Sequence, residues 1–296
     1  MNSNIVAIVV TYNRKEKLLK CLESFSSLKG GSPDILVVDN FSDDGTKEAL
    51  APMVEDGRIH YLNLGRNLGG AGGFEHGVKH AIELGYEYLW LMDDDCIPGK
   101  GSLNALKKAH NTLKGRYGFL SSKVIWRDKT PCRMNIQKCS LTHKLKDWGR
   151  DLQRVQYASF VSCFIKASVI KELALPIGEF FIWGDDLEYT RRISRKYPCY
   201  YVKDSVVLHN CAHNGGSDIS RDSMDRMKYY VYAYRNEFYI FRREGTKGIV
   251  YWLMRINLHI MRILFKSDGH RFKRLWMLMK GTLMGFFYNP TIDLAD

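Results

Sequence analysis

No two of the seven cysteines stand at C-x-x-C spacing, so the chain carries no paired redox or zinc motif. Cys21, Cys96, Cys132, Cys139, Cys163, Cys199 and Cys211 therefore read as free thiols of a reducing compartment. The stretch HNCAH, with His209, Cys211 and His213, offers zinc-ligating residue types, but no second cluster accompanies it. A secretory leader is missing too. MNSNIVAIVVTYNRKEK is a short apolar run with no charged start and no cleavage site, and it is too short to span a bilayer. The expectation is a cytosolic protein. Internal repeats and low-complexity tracts are absent. What remains is an ordinary globular composition, 45% hydrophobic and 26% charged over 296 residues, enough for one large domain with an appendage.

Acidic balance is also lacking. The net charge is +12, and it is unevenly placed. From Arg226 to Lys280, thirteen Lys and Arg stand against three acids, Glu237, Glu244 and Asp268, so the rest is nearly neutral. Basicity spread over a whole domain would suggest nucleic acid. Here it is interleaved with Trp, Leu, Ile and Met, which points to a membrane surface instead.

Periodicity supplies the architecture. IVAIVV (5–10) is a continuous β-branched run, as expected of a strand buried on both faces. Leu18, Leu19, Leu22 and Phe25 follow at helical spacing. ILVVD (35–39) reads as a second strand, IHYL (59–62) as a weaker third and YLWLM (88–92) as a fourth. Phe74, Val78, Ala81 and Ile82 form a helical stripe between the last two. Such alternation predicts parallel strands covered by helices, with ligands beyond the strands' carboxyl ends. Every polar cluster of this half falls there. From about residue 127 to 154 the pattern fades into a polar, basic insertion or flap. YASFVSCFI and the helical ASVIKELAL restore it, CYYVK and VVLH read as strands, and only helices are expected from Met224 onward. The predicted class is α/β, with a sheet-and-helix domain over 1–222 and a basic helical region over 223–296.

Three chemical centres stand out. NLGRNLGGAGGF carries five glycines ahead of a helix, a setting in which backbone N–H groups can approach phosphate. Its spacing is neither the dinucleotide-binding nor the P-loop pattern. Asp39 ends a buried strand, where it could accept hydrogen bonds from uracil or ribose or simply cap the next turn. The fourth strand runs into Asp93, Asp94 and Asp95. Like charges repel at that spacing, so a cation is expected there, and carboxylate oxygens suit Mg²⁺ or Mn²⁺. Alternate residues of an extended chain point the same way, so Asp93 and Asp95 could face one ligand and Asp94 another. Asp185 and Asp186 form the third centre, between an aromatic run and an amphipathic helix. One aspartate suffices to cap a helix, and the second, near Trp183, is free for chemistry. His209 ends an apolar strand.

Taken in order, TYNR, VVDN, GRN before the glycines, DDD, GDD before a helix, and VVLH resemble glycosyltransferase family 2, the inverting enzymes of GT-A fold. NLGGAGGF with WGDD is similar to its galactofuranosyltransferases and rhamnosyltransferases. The resemblance covers about the first three-quarters of the chain. It implies that Thr11, Tyr12, Arg14, Asp39, Arg66, Asn67 and Asp94 hold a nucleotide sugar. Asp93, Asp95 and His209 would bind Mg²⁺ or Mn²⁺, Trp183 and Asp185 would meet the acceptor, and Asp186 would be the general base. The implied donor is UDP-galactofuranose, with dTDP-rhamnose as the alternative. The implied acceptor is a saccharide, lipid-linked at the cytoplasmic face of the cell membrane, with transfer of one or a few residues.

The C-terminal stretches GIVYWLMRINLHIMRILFK and HRFKRLWMLMKGTLMGFFY are apolar at helical period but interrupted by Arg, Lys or His short of a full span. The expectation is a peripheral contact. Trp252 and Trp276 would lie at the headgroup boundary, and Arg255, Arg262, Lys266, Arg271, Lys273 and Arg274 would face anionic lipid. The competing expectation is packing on the catalytic domain or on a second copy in a homo-oligomer. A third possibility is a membrane- or polyanion-binding module that kept the fold without the chemistry, against which the paired acidic centres argue.

Overall fold

The computed structural model describes residues 4–295. The first half alternates as its periodicity predicts. β1 (Ile5–Thr11), α1 (Lys15–Ser26), β2 (Asp34–Asp39), α2 (Thr46–Glu55), β3 (His60–Asn63), α3 (Gly69–Glu83) and β4 (Tyr88–Asp93) follow one another. All seven residues of β1 are buried, because each face of the strand meets a separate core. Val6, Ile8 and Val10 face one core with Phe74 and Val78 of α3, while Ile5, Ala7 and Val9 face the other with Leu18, Leu22 and Phe25 of α1. A period of two in side-chain direction, with apolar residues at every position, requires this sandwiching.

The second half adds β5 (Cys96–Pro98), α4 (Ser102–Thr112), β6 (Phe119–Ile125), β7 (Gln153–Arg154), β8 (Cys163–Lys166), α5 (Ala167–Leu173), α6 (Asp185–Lys196) and β9 (Tyr200–His209). The strands form one sheet in the order β3-β2-β1-β4-β8-β6-β9-β5, with β7 on β9. β1, β2, β3 and β4 are mutually parallel, and β8 enters antiparallel between β4 and β6. Two differences from the sequence expectation are physical. CYYVK and VVLH belong to one strand, since β9 continues through Asp204 with a shift in its register against β6. YASFVSCFI yields a strand only at its end, and residues 157–162 instead pack as a buried loop.

Glycines 69, 70, 72 and 73 lie inside the first turns of α3 rather than ahead of it. On the sheet-facing side of the helix, Gly73 and Gly77 serve close packing. A Cβ on Gly73 would stand 2.5 Å from Val10 Cγ1, and one on Gly77 would stand 2.7 Å from Val38 Cγ2 and 2.8 Å from Ile8 Cγ2. The helix therefore lies on the sheet at a distance only glycine permits.

Helices close the chain: α7 (Met227–Arg242), α8 (Gly245–Lys266) and α9 (Arg271–Phe287). They share one core with residues of the acidic-loop region: Ile177 and Phe180 pack with Tyr234, Phe238, Trp252 and Leu278. Gly281 and Gly285 bring α9 against the backbone of α7 at Val231 and Arg235. The outer stripes of α8 and α9 stay open. Met254, Leu258, Met261, Phe265, Phe272 and Trp276 are all exposed.

Candidate active site

The parallel strands deliver polar residues side by side. In the sheet register Thr11 stands beside Asp39, Asp39 beside Asn63 and Val10 beside Asp93. Just past β4 the three aspartates divide. Asp94 accepts from Thr11 Oγ1 at 2.9 Å and pairs with Arg14 at 3.2 Å. Asp95 pairs with Lys17 at 3.0 Å and, through Oδ1, with His209 Nε2 at 3.1 Å. Because β5 lies antiparallel on β9 with Cys96 opposite His209, the strand end brings that imidazole over the aspartates. Asp93, Asp95 and His209 each offer a ligand atom within 4.8 Å of the others.

The charges follow from burial. Burial first, then Asp95, pushes Asp93 up to about 7. Burial would raise Asp95 as well, but the hydrogen bond from His209 and the Lys17 ammonium hold it below the usual carboxylate range. Burial would lower His209, yet its bond to Asp95 outweighs that and lifts it to about 10. The half-buried Asp93 carboxylate, the buried Asp95 carboxylate and a buried imidazole converge on one point. Asp93 makes no side-chain hydrogen bond among the described residues. Hard oxygen donors with one nitrogen suit a divalent cation such as Mg²⁺ or Mn²⁺.

The second acidic centre comes to the same place. Asp185 is driven well above its usual range by burial, then by Asp186, with Asp93 also contributing, so the two centres feel each other's charge. Asp186 is raised to about 6, burial being the main cause and the Leu187 amide and Lys138 opposing it. The backbone ahead of them is constrained. Phe181 and Trp183 both hold positive φ, at 62° and 65°, a conformation bulky residues adopt only when their surroundings impose it. α7 imposes it. Asn236 Nδ2 donates to the carbonyls of Phe180, Ile182 and Trp183 at 3.0, 3.2 and 2.9 Å, and Arg235 donates to that of Glu179 at 2.7 Å. Phe181 stacks on Tyr229 and Tyr232, and Trp183 packs on Tyr230 beneath the Arg226 guanidinium. An aromatic shelf beside two carboxylates suits the apolar face of a sugar.

Other sequence candidates have structural partners already. Asp39 is fully buried, accepting from Ser42 N and Oγ and from Tyr61 OH, which is the turn-capping arrangement. Asn67 Oδ1 accepts from Gly69 N at the start of α3. Tyr12 and Arg66 lie exposed on the loops around this end of the sheet.

Sequence reasoning missed what the 127–154 insertion does. It sets Cys132 and Asn135 against His209 and brings Lys138 within electrostatic reach of Asp186. Burial and the Arg255 charge lower that lysine to about 8. No periodicity marks such a segment, and its contacts come from irregular backbone. The Arg235-Asn236 brace was missed for a similar reason, since both sit in a helix whose basic character pointed outward.

A mixed sheet with nucleotide-binding topology, a DxD cluster completed by a strand-end histidine, and a second carboxylate pair define a glycosyltransferase of GT-A architecture. Residues 6–157 match Glycosyl transferase family 2, and the chain belongs to that family. It is 27% identical over 261 residues to galactofuranosyltransferase GlfT1 of Mycolicibacterium smegmatis, covering 83% of this chain and 85% of that one. It is 37% identical over 95 residues to dTDP-rhamnosyl transferase RfbF of Shigella flexneri, covering 32% and 30%. Among solved structures, S. aureus TarS 1-349 superposes at TM-score 0.54 with 14% identity, covering 98% of this chain and 73% of that one. Mannosyltransferase PcManGT of Pyrobaculum calidifontis, in complex with GDP-Man and Mn²⁺, superposes at TM-score 0.54 with 14% identity, covering 96% and 74%.

Proposed function

We propose that this glycosyltransferase moves galactofuranose from UDP-galactofuranose onto a saccharide acceptor, with inversion at the anomeric carbon. The observation that carries the transfer chemistry is the convergence of Asp93, Asp95 and His209 with Asp185 and Asp186 at one end of the sheet. The galactofuranosyltransferase likeness, which runs along most of both chains, supports the donor.

In this reading Asp93, Asp95 and His209 hold Mg²⁺ or Mn²⁺, which when bound neutralises charge developing on the leaving diphosphate. Thr11 and Arg14 hold the Asp94 carboxylate, which in this reading meets ribose or donor sugar. Trp183 and Asp185 seat the acceptor. Asp186 accepts the proton of the attacking hydroxyl, and its raised range suits a base near neutral pH. One base and one displacement invert the centre. The acceptor is lipid-linked at the cytoplasmic face of a membrane, reached by α8 and α9.

Incubating the purified protein with a panel of nucleotide sugars tests the donor. UDP-galactofuranose should give the largest thermal shift and the fastest hydrolysis. Preference for dTDP-rhamnose would replace it with the second reading, which the 37% identical segment favours. Silence toward every nucleotide sugar would remove the transferase reading's donor altogether. Cation removal is a separate check. Excess EDTA should abolish turnover and Mn²⁺ should restore it, while Asp95→Ala and His209→Ala should not recover. Full activity in EDTA would show that the acidic cluster does something else.

A further inference from the structure

His209 faces two ways. Its Nε2 meets Asp95 Oδ1, while Nδ1 lies 2.8 Å from Asn135 Oδ1 and 3.7 Å from Cys132 Sγ. Cys211 follows β9 and turns back to the same side. Cys132, His209 and Cys211 each offer a ligand atom within 4.8 Å of the others. HNCAH alone supplied too few ligands in sequence, and the insertion provides the missing thiol. Cys132 is fully buried and Cys211 partly exposed, so the cluster is enclosed on one side and open to solvent on the other.

Two thiols and an imidazole are the donor types of a thiophilic cation, whereas the two carboxylates on the far side of the ring suit a hard one. We propose that Cys132, Cys211 and Nδ1 of His209 form a second cation site, which takes Zn²⁺ and competes with the Asp93–Asp95 site for the single imidazole.

The exclusion follows from the ring. A neutral imidazole coordinates through the nitrogen that carries no hydrogen. Binding at Nε2 leaves the hydrogen on Nδ1, where Asn135 Oδ1 accepts it. That is the usual outer support of a ligating histidine. Binding at Nδ1 leaves the hydrogen on Nε2, where it donates to Asp95 and withdraws the ring from the carboxylate site. Zinc capture releases the two thiol protons and the Nδ1 proton of the imidazolium to solvent, and requires Cys211 to give up its weak contact with the His213 carbonyl. Three protein ligands leave the fourth tetrahedral position to water.

Cobalt is the probe, because thiolate ligation gives a charge-transfer band in the near ultraviolet. The full chain, reduced and metal-free, is titrated with Co²⁺. The band should appear in the wild type, vanish on addition of Zn²⁺ and be missing from Cys211→Ser. That substitution alters a partly exposed thiol and leaves the acidic centres intact. In Mn²⁺-supported turnover, Zn²⁺ should inhibit the wild type and excess Mn²⁺ should relieve it, while Cys211→Ser should need at least tenfold more zinc. A missing band in the wild type, a band that survives Cys211→Ser, or equal zinc inhibition of both proteins would overturn the site. The cobalt readout needs no donor, so failure of the galactofuranose reading leaves it standing.

Discussion

Asp186 carries two opposed demands at once. Its carboxylate is held near the surface of the site but largely desolvated, and its range is raised to about 6. A folded-state value above the unfolded one means that the protonated form is favoured by folding. The group is therefore harmless at low pH, and above about pH 6 the ionised carboxylate destabilises the fold. A shift of this size corresponds to an upper bound of about 3 kcal/mol, less for a carboxylate that shares its charge with Asp185. Three outcomes follow. Asp186→Asn should lower transfer by on the order of a hundredfold or more while nucleotide-sugar binding persists. The same substitution should raise resistance to urea at pH 8 by on the order of 1–3 kcal/mol and give no gain near pH 4. Wild-type kcat/KM should fall on the acid side of about pH 6, as the base takes up its proton. A variant that transfers normally, with Asp185→Asn inactive instead, would move the base one residue back. A variant less stable than wild type at pH 8 would contradict the burial penalty.

At the scale of elements, the glycine-rich start of α3 shows how far a sequence signal reaches. The glycines were legible as a demand for close approach, but not the identity of the partner. A cradle for phosphate and a helix pressed onto β1 and β2 need the same residue type. The structure assigns Gly73 and Gly77 to the sheet. Gly77→Ala should thus cost about 1–3 kcal/mol, since the new methyl meets β-branched side chains fixed in their strands. The measurement is the urea midpoint. An unchanged midpoint would mean that α3 rides freely over the sheet. The four parallel strands and their polar ends were legible because buried strands have no polar positions and their carboxyl ends collect ligands. β5, β6 and α4 were not singled out: CIP is three residues long, and FLSSKVI carries two serines within its apolar pattern. Those serines are buried because they bond to other side chains, Ser122 to Ser162 and Ser205, and Ser121 to Gln137. Period alone cannot report that satisfaction. The approach of GDD to DDD was implied only by the family resemblance and not by period, since it depends on β8 crossing the sheet antiparallel and on the grip of α7 on residues 179–183.

For the whole molecule, the proposed membrane contact rests on the C-terminal helices. α8 is long and apolar enough, by length and composition, to cross a membrane, beyond what its interrupted sequence led us to expect. Its inner stripe is already engaged, however. Trp252 is buried against Phe238, and Arg255 pairs with Glu237 of α7. Spanning would strip that arginine of its partner, so the arrangement favours helices lying in the interface. The structure also redistributes the expected contacts. Arg274 is buried and donates to the carbonyls of Ile219 and Asp222, so it cannot face lipid, and Trp252 does not reach a headgroup. The outward set is Leu253, Met254, Phe265, Phe272, Trp276 and Phe287, flanked by exposed Lys266, Arg271, Lys273 and Lys280. Each such basic residue near an anionic surface is worth about 1 kcal/mol. Co-sedimentation with liposomes should rise with anionic lipid content and fall as salt screens it. Replacing Lys266, Arg271 and Lys273 together by Glu should abolish binding at moderate salt, leaving hydrolysis of soluble donor unchanged because none of the three approaches the acidic centres. Phe272→Ser with Trp276→Ser should weaken binding at low salt too, through lost burial rather than lost charge. If liposomes are ignored at low salt, and these substitutions change only the sedimentation coefficient, the apolar face joins two copies of the chain and the site is not held at a membrane.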